Sequence, residues 1–320
     1  MGSFIFAFFT VALWIWFVPL LMLLSILFFI QKGKQVLMSL RIVLKLGFFE
    51  TKLSKEEWKY LYNKYLQETY YPQLDTANYG FAILSEDGIY LDNYKRNESV
   101  LNYQLYDHAV LMHANISDLR GKTLMDVSCG RGGGLRHLIE EFNPSIAYGV
   151  DISQESLNFS EKLIGSQHKT KIEYIQADAE KLMSVQQLSE SSVDVLINIQ
   201  SSHCYDDLRK FFEGVKYLLK EDGVFIYADF RQTDQYQIID SLINENFDVL
   251  KYEDIRRNVF HAMQLQSQFK TEQILQESSW YLQLFLPFYL GLEGTKMYRD
   301  FEKGNKTYYL YTLRKKRDQS

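Results

Sequence analysis

Apolar residues follow three successive patterns along this chain. From Phe4 to Ile30 no charged residue interrupts them. At about 1.5 Å per residue such a run makes a helix of roughly 40 Å, more than the hydrocarbon layer of about 30 Å requires. Pro19 lies within it, which a membrane helix accommodates as a kink. The run is too long for a cleavable leader, and no positive charge precedes it. Residues 1–31 are therefore expected to form a retained transmembrane anchor.

The second pattern has helical period. Val36, Leu37, Leu40, Val43, Leu44 and Phe48 recur on one side of the segment Lys34 to Phe49, with Lys34, Arg41 and Lys45 on the other. That is the pattern of a helix lying among lipid headgroups. Trp58, Leu61, Tyr62, Tyr65 and Leu66 then share a face from Lys55 to Tyr70, and Pro72 stops that helix. Residues 32–72 are read as interfacial and linker helices. The stretch 73–98 is irregular, and a helix is expected from about Asn97 to Ile116.

The third pattern begins at Lys122. Apolar runs at Thr123–Val127, Ala147–Val150, Ile172–Ile175, Val193–Ile199 and Val224–Ala228 alternate with helical stretches. Such alternation builds βαβ units and a parallel sheet. Phe247–Tyr252 and Thr307–Leu313 are further strands. The expected fold is α/β: a Rossmann-like, seven-stranded, mostly parallel sheet with helices on both faces. It occupies residues 73–320, with an aromatic, lid-like helical insertion over about 254–303.

Charge adds a direction. Net charge over the 320 residues is −5, so no nucleic-acid partner is expected. The basic residues Lys32, Lys34, Arg41 and Lys45 all follow the anchor. The positive-inside rule then faces the large domain to the cytosol, as a single-pass membrane protein. Only two cysteines occur, Cys129 and Cys204, so no disulfide framework is implied. Aromatic residues make up 15%, which suits a greasy substrate or a packed core equally.

The chemistry gathers at strand ends. Leu124-Met125-Asp126-Val127-Ser128-Cys129-Gly130-Arg131-Gly132-Gly133-Gly134 follows a strand and opens a helix. Glycines there permit tight turning and close approach of backbone to a ligand. Asp151 ends the next strand, where a carboxylate can bind a ribose diol. Asp178 follows the strand after that, where it can meet an adenine amino group. The dinucleotide fingerprint G-x-G-x-x-G is not met, because its third glycine position is Leu135. This favours S-adenosylmethionine over a nicotinamide.

These motifs resemble class I methyltransferases, with Ser128 standing where most members have glycine. Ile199-Gln200-Ser201-Ser202-His203-Cys204-Tyr205, Tyr227-Ala228-Asp229-Phe230-Arg231 and Glu293 to Phe301 are similar to the phthiotriolone/phenolphthiotriolone dimycocerosate O-methyltransferase group. Asn78-Tyr79-Gly80 is similar to a motif of the more distant sterol and tocopherol methyltransferases. The resemblance spans about residues 75–315. It implies S-adenosylmethionine as cofactor, bound through Asp126, Ser128, Gly130, Gly132, Asp151, Ile152, Asp178, Ala179 and Gln200.

Methyl transfer from a sulfonium is mainly a matter of alignment. A hydroxyl acceptor also needs its proton removed, and an imidazole suits that task. His203, just after the fourth strand, is the candidate base. No metal is expected: Asp206 and Asp207 are better explained by a helix N-terminus. The expected activity is O-methylation of a hydroxylated lipid-like acceptor at a membrane surface. The alternatives are sterol C-methylation, or a non-catalytic methyltransferase-like subunit of a membrane complex.

Overall fold

The computed structural model describes residues 23, 25, 30, 33, 34, 36–45, 53–68, 75–85, 100–276, 283 and 286–317. The chain divides into two compact units, Met1–Lys52 and Leu53–Ser320. In the first, residues 36–45 are helical, and Val36, Leu37, Leu40 and Leu44 are exposed. Of the expected anchor only Leu23, Ser25 and Ile30 are described, and they are helical; the rest lies outside the described residues. Among the described residues no helix is long and apolar enough to cross a membrane.

The second unit opens with helix α1 (Lys55–Glu68). Helix α2 (Val100–Asp107) passes into a π-helical turn at His108–His113, where one continuous helix was expected. Seven strands follow: β1 (Thr123–Val127), β2 (Ile146–Asp151), β3 (Lys171–Gln176), β4 (Val193–Ile199), β5 (Leu219–Gln232), β6 (Phe247–Asp254) and β7 (Lys306–Lys315). Between them lie α3 (Gly133–Phe142), α4 (Gln154–Ile164), α5 (Leu208–Leu218) and α6 (Tyr236–Asn246). The segment before β7 contains α7 (Arg256–Phe269), the short α8 (Leu286–Leu290) and α9 (Lys296–Lys303). The stretch after β3 is a 3₁₀ turn at Ala179–Ser184, kinked at Lys181, which leaves helical geometry.

The strand order is β3-β2-β1-β4-β5-β7-β6. All neighbours are parallel except β7, which runs antiparallel to both β5 and β6. Alternate residues of each strand point to opposite faces, and each face has its own core. Leu124, Ile197, Ile199, Ile226, Ala228, Phe230 and Leu310 belong to one; Met125, Leu196, Phe225, Tyr227, Tyr311 and Leu313 belong to the other. Fourteen residues long, β5 extends well beyond its predicted apolar stretch, because β7 pairs with it from Phe225 through Gln232.

The order reverses between β1 and β4, since the chain moves outward through β2 and β3 before returning to the other side of β1. Beyond the carboxyl ends of strands at such a reversal, open α/β sheets hold their ligands. The glycine-rich turn after β1 and the acids ending β2 and following β3 all lie at that edge.

Candidate active site

A cleft of about 920 Å³, counting space open to solvent, lies at this edge. The turn after β1, the ends of β2 and β4, and α1 all contribute to its wall. Of the expected cofactor residues, Ser128, Gly130, Asp151, Ile152, Asp178, Ala179 and Gln200 line it together.

Asp126 and Gly132 stand outside that wall. Asp126 is buried in β1, and Oδ2 has no hydrogen-bond partner among the described residues. Burial and the nearby charge of Asp151 push its carboxyl up to about 8, so at neutral pH it is an uncharged acid beneath the turn. A Cβ on Gly132 would meet Ser160 Oγ of α4 at 1.9 Å.

The glycines of the run therefore divide by role. At Gly130, φ is 56° and a Cβ would have nothing within 4 Å, so its backbone faces open space in the cleft. Gly133 and Gly134 are closed by their neighbours. A Cβ would stand 2.5 Å from Asp75 Oδ1 at the first, and 2.0 Å from the Tyr106 ring at the second. Only Gly130 has the approach that a ligand needs.

Ser128 also takes a left-handed conformation, with φ 63°. That geometry strains an L-residue by roughly 1–2 kcal/mol. Its hydroxyl lies 2.6 Å from Tyr205 Oη, to which Asn198 Nδ2 donates at 2.9 Å. This bond offsets part of the strain and explains how serine is tolerated in the position.

Asp151 is buried, and its two oxygens accept from Gly130 N at 2.9 Å and Ser153 N at 2.8 Å. Each carboxylate oxygen has two lone pairs, so the group is not saturated by its backbone donors and retains capacity for a ligand. Burial pushes this carboxyl up, and the backbone hydrogen bonds from Ser153, Gly130 and Ile152 only partly restrain it, leaving it at about 6. Asp178 caps the 3₁₀ turn by accepting from Glu180 N at 3.1 Å and pairs with Lys55 of α1 at 3.0 Å. Lys55 also pairs with Glu180 at 2.8 Å. Through Lys55, Trp58 and Tyr62, α1 forms one wall of the cleft.

Gln200 serves a neighbouring loop. Its Oε1 accepts from Tyr79 N at 2.8 Å, and its Nε2 donates to Ala77 O at 3.4 Å. Tyr79 in turn stacks on Phe230 at 5.7 Å. The Asn78-Tyr79-Gly80 motif is thus tied to the end of β4 and to β5.

His203 does not itself line the cleft; it sits behind the wall, next in sequence to the lining residue Cys204 and edge-on to the lining residue Trp58. Its ring stacks on Phe230 at 4.3 Å and meets Trp58 edge-on at 6.1 Å. Nδ1 is 2.9 Å from Asp229 Oδ1, and the backbone N–H donates to Asp229 Oδ2 at 2.8 Å. Burial lowers the imidazole, but Cys204 and Asp229 outweigh it through charge and hydrogen bonding and push it up to about 9. Burial alone would raise Asp229; His203 and Arg231 hold it well below the usual carboxylate range. Arg231 Nη1 lies 3.1 Å from Asp229 Oδ2, and Ser202 Oγ donates to the same oxygen at 2.6 Å.

Asp207 caps α5 by accepting from Lys210 N at 3.2 Å, the helix-terminus role expected of it. Among the described residues, no three His, Cys, Asp or Glu side chains gather as a metal site. Sequence reasoning singled out neither Asp75 nor the pairing of Asp229 with His203. The signal for Asp229 lay in its place within β5; Asp75 sits in an irregular stretch that carries no periodicity.

The sheet order, the antiparallel seventh strand and the open cleft beside Gly130 define a class I S-adenosylmethionine-dependent methyltransferase. Residues 118–299 match the family described as Methyltransferase domain, and the chain belongs to that family. It is 30% identical over 216 residues to the phthiotriol/phenolphthiotriol dimycocerosates methyltransferase of Mycobacterium tuberculosis, covering 65% of this chain and 76% of that one. A fatty-acid O-methyltransferase of Mycolicibacterium smegmatis is 31% identical over 128 residues, or 40% of this chain and 43% of that one. The fold is also that of a mycolic acid cyclopropane synthase solved with SAH and CTAB, with a TM-score of 0.61 at 17% identity over 83% of this chain and 100% of that one. Geranyl diphosphate C-methyltransferase from Streptomyces coelicolor shares it with a TM-score of 0.56 at 14% identity, over 81% and 98%.

Proposed function

We propose that this enzyme methylates a hydroxyl-bearing, lipid-like acceptor at a membrane surface. The observation that carries the reading is the pairing of His203 Nδ1 with Asp229 at 2.9 Å, beside the cleft-lining Trp58 and Cys204. That contact leaves Nε2 to receive the acceptor's proton, while the carboxylate stabilises the imidazolium formed. Asp229 is itself fixed by Arg231 and Ser202, so the base is held in one orientation. The named activities of the mycobacterial relatives, on phthiotriol lipids and on fatty acids, support an acceptor of this class.

S-adenosylmethionine supplies an activated methyl group when bound. The chain's contribution is to hold and align it. Asp151 would receive the ribose hydroxyls, Asp178 the adenine amino group, and the open backbone at Gly130 would admit the nucleoside. The free space beside Gly130 and the lone pairs left on Asp151 fit that group.

The membrane reading rests on the uncharged run from Phe4 to Ile30 and the basic residues after it. A single-pass anchor with the catalytic domain on the cytosolic side follows from them. The exposed Val36, Leu37, Leu40 and Leu44 suit a helix lying among headgroups. Held there, the enzyme would meet its acceptor where lipids concentrate.

A second reading, C-methylation of a sterol-like acceptor, draws on the rings of Trp58 and Phe230 around His203, since aromatic faces stabilise cations. Mass spectrometry of a lipid extract incubated with the purified full chain and labelled cofactor separates the two. A methyl ether, lost in His203→Ala, supports O-methylation of a hydroxyl. A new carbon–carbon bond refutes it, and cofactor binding without any product supports the non-catalytic subunit.

A further inference from the structure

Asp75 precedes α2 and is only 3% exposed. Its backbone carbonyl accepts from Gly133 N at 3.0 Å, which pins it to the start of α3. Its two carboxylate oxygens have different surroundings. Oδ2 accepts from the Tyr103 hydroxyl and from Arg136 Nη2 at 2.8 Å, and Arg136 also donates to Tyr103 Oη at 2.7 Å. Oδ1 is buried against Gly133 and has no hydrogen-bond partner among the described residues. Leaving a buried acceptor unsatisfied typically costs about 1–3 kcal/mol, more for a charged group.

Asp75 lines the cleft together with Tyr106, Arg131 and Gly134, at the glycine-turn end. Asp151 and Asp178 stand instead at the end of β2 and after β3. If these two take the ribose and adenine, the remaining part of the cofactor at the glycine turn is its amino-acid end, a zwitterion. The wall there matches such a group. It holds a carboxylate with one oxygen that has no hydrogen-bond partner among the described residues and, in Arg131, a guanidinium stacked over Phe159 at 3.8 Å.

We infer that Asp75 Oδ1 receives the α-ammonium group of the cofactor, with Tyr103 and Arg136 holding the carboxylate in place through its other oxygen. This rests on the assignment of the cleft to S-adenosylmethionine. Asp75 binds and positions; it moves no proton in the reaction. Gly133 belongs to the same device, because any side chain there would displace Oδ1.

Calorimetry on the full chain tests this with two probes, S-adenosylhomocysteine and 5′-methylthioadenosine, the second lacking the amino-acid end. In Asp75→Asn the first is expected to bind about tenfold to a hundredfold more weakly, as befits loss of a charged hydrogen bond. The second should bind as it does to the wild type. Equal weakening of both probes, or of neither, overturns the inference. A wild type that binds neither probe defeats the cleft assignment itself, a distinguishable result. Should Asp75→Asn fail to fold, a crystal structure of the wild type with S-adenosylhomocysteine decides. An ammonium within hydrogen-bond distance of Asp75 Oδ1 upholds the inference, and one placed elsewhere overturns it.

Discussion

Asp151 and Asp229 are both buried carboxylates near the carboxyl edge of one sheet, yet the protein treats them in opposite ways. Asp229 is surrounded by His203, Arg231 and Ser202, which together hold it ionised far below the usual range. Among the described residues Asp151 receives only backbone N–H groups and no cation, and burial leaves it at about 6. One carboxylate is completed by the protein and works through a neighbouring side chain. The other is left incomplete at the cleft wall, where a ligand's hydroxyls can finish its hydrogen bonding. On the proposed function, the contrast separates the acceptor half of the site from the cofactor half.

The largest expected effect lies on the acceptor half. His203→Ala should lower turnover by about 10²–10⁴-fold, the usual scale for a lost general base, with cofactor affinity nearly unchanged. In the wild type turnover should rise with pH up to about 9, because the imidazole must shed its proton before it can accept another. That rise should vanish in the variant. Steady-state kinetics across pH checks both.

The two carboxylates should also affect stability with opposite sign. Asp229, lowered on folding, contributes stability that is present above the unfolded value of about 4 and is lost as pH falls through its lower folded value. Breaking its buried pairing in Asp229→Asn should destabilise by about 3–5 kcal/mol at neutral pH. Asp151, raised on folding, penalises the folded state as pH rises from about 4 to about 6. Asp151→Asn should therefore be neutral or stabilising at pH 7, by at most about 3 kcal/mol. Denaturant melts of both variants at pH 5 and 7 read this directly. Destabilisation of equal size in both would remove the distinction.

Smaller effects are expected in the turn between them. Gly134→Ala drives a Cβ into the Tyr106 ring and should cost about 1–3 kcal/mol of stability, as overpacking does. Thermal melting measures it. Ser128→Gly should fall within about 1 kcal/mol of the wild type, since the strain relieved at φ 63° is balanced by the lost bond to Tyr205.

The apolar runs made the middle of the sheet legible, because β1, β4 and β5 from Val224 onward are buried on both faces and read as short apolar blocks, whereas the edge strand β3 is partly exposed and the edge strand β6 largely so. The strand-end acids were legible for the same reason: once the strands are placed, their carboxyl ends are placed. The length of β5 was hidden, since its first half, Leu219 to Gly223, is polar and pairs with β4 only at Leu219 before Val224. The distinct roles of the glycines were hidden as well. Whether a glycine faces a ligand, as at Gly130, or a tyrosine, as at Gly134, depends on what the rest of the chain brings alongside. Asp75 shows the limit most clearly. Its partners Tyr103, Gly133 and Arg136 are 28 or more residues away, and the stretch around it carries no periodicity to draw attention to it. The anchor from Phe4 to Ile30 stays a reading of the sequence, because most of it lies outside the described residues.

The central claim is that the cleft beside Gly130 holds the cofactor through Asp151. Equilibrium binding of labelled S-adenosylmethionine to the full chain and to Asp151→Ala tests it most directly. The account predicts saturable binding of one molecule per chain, weakened about tenfold or more when the carboxylate is removed. Equal affinity in both proteins would contradict it.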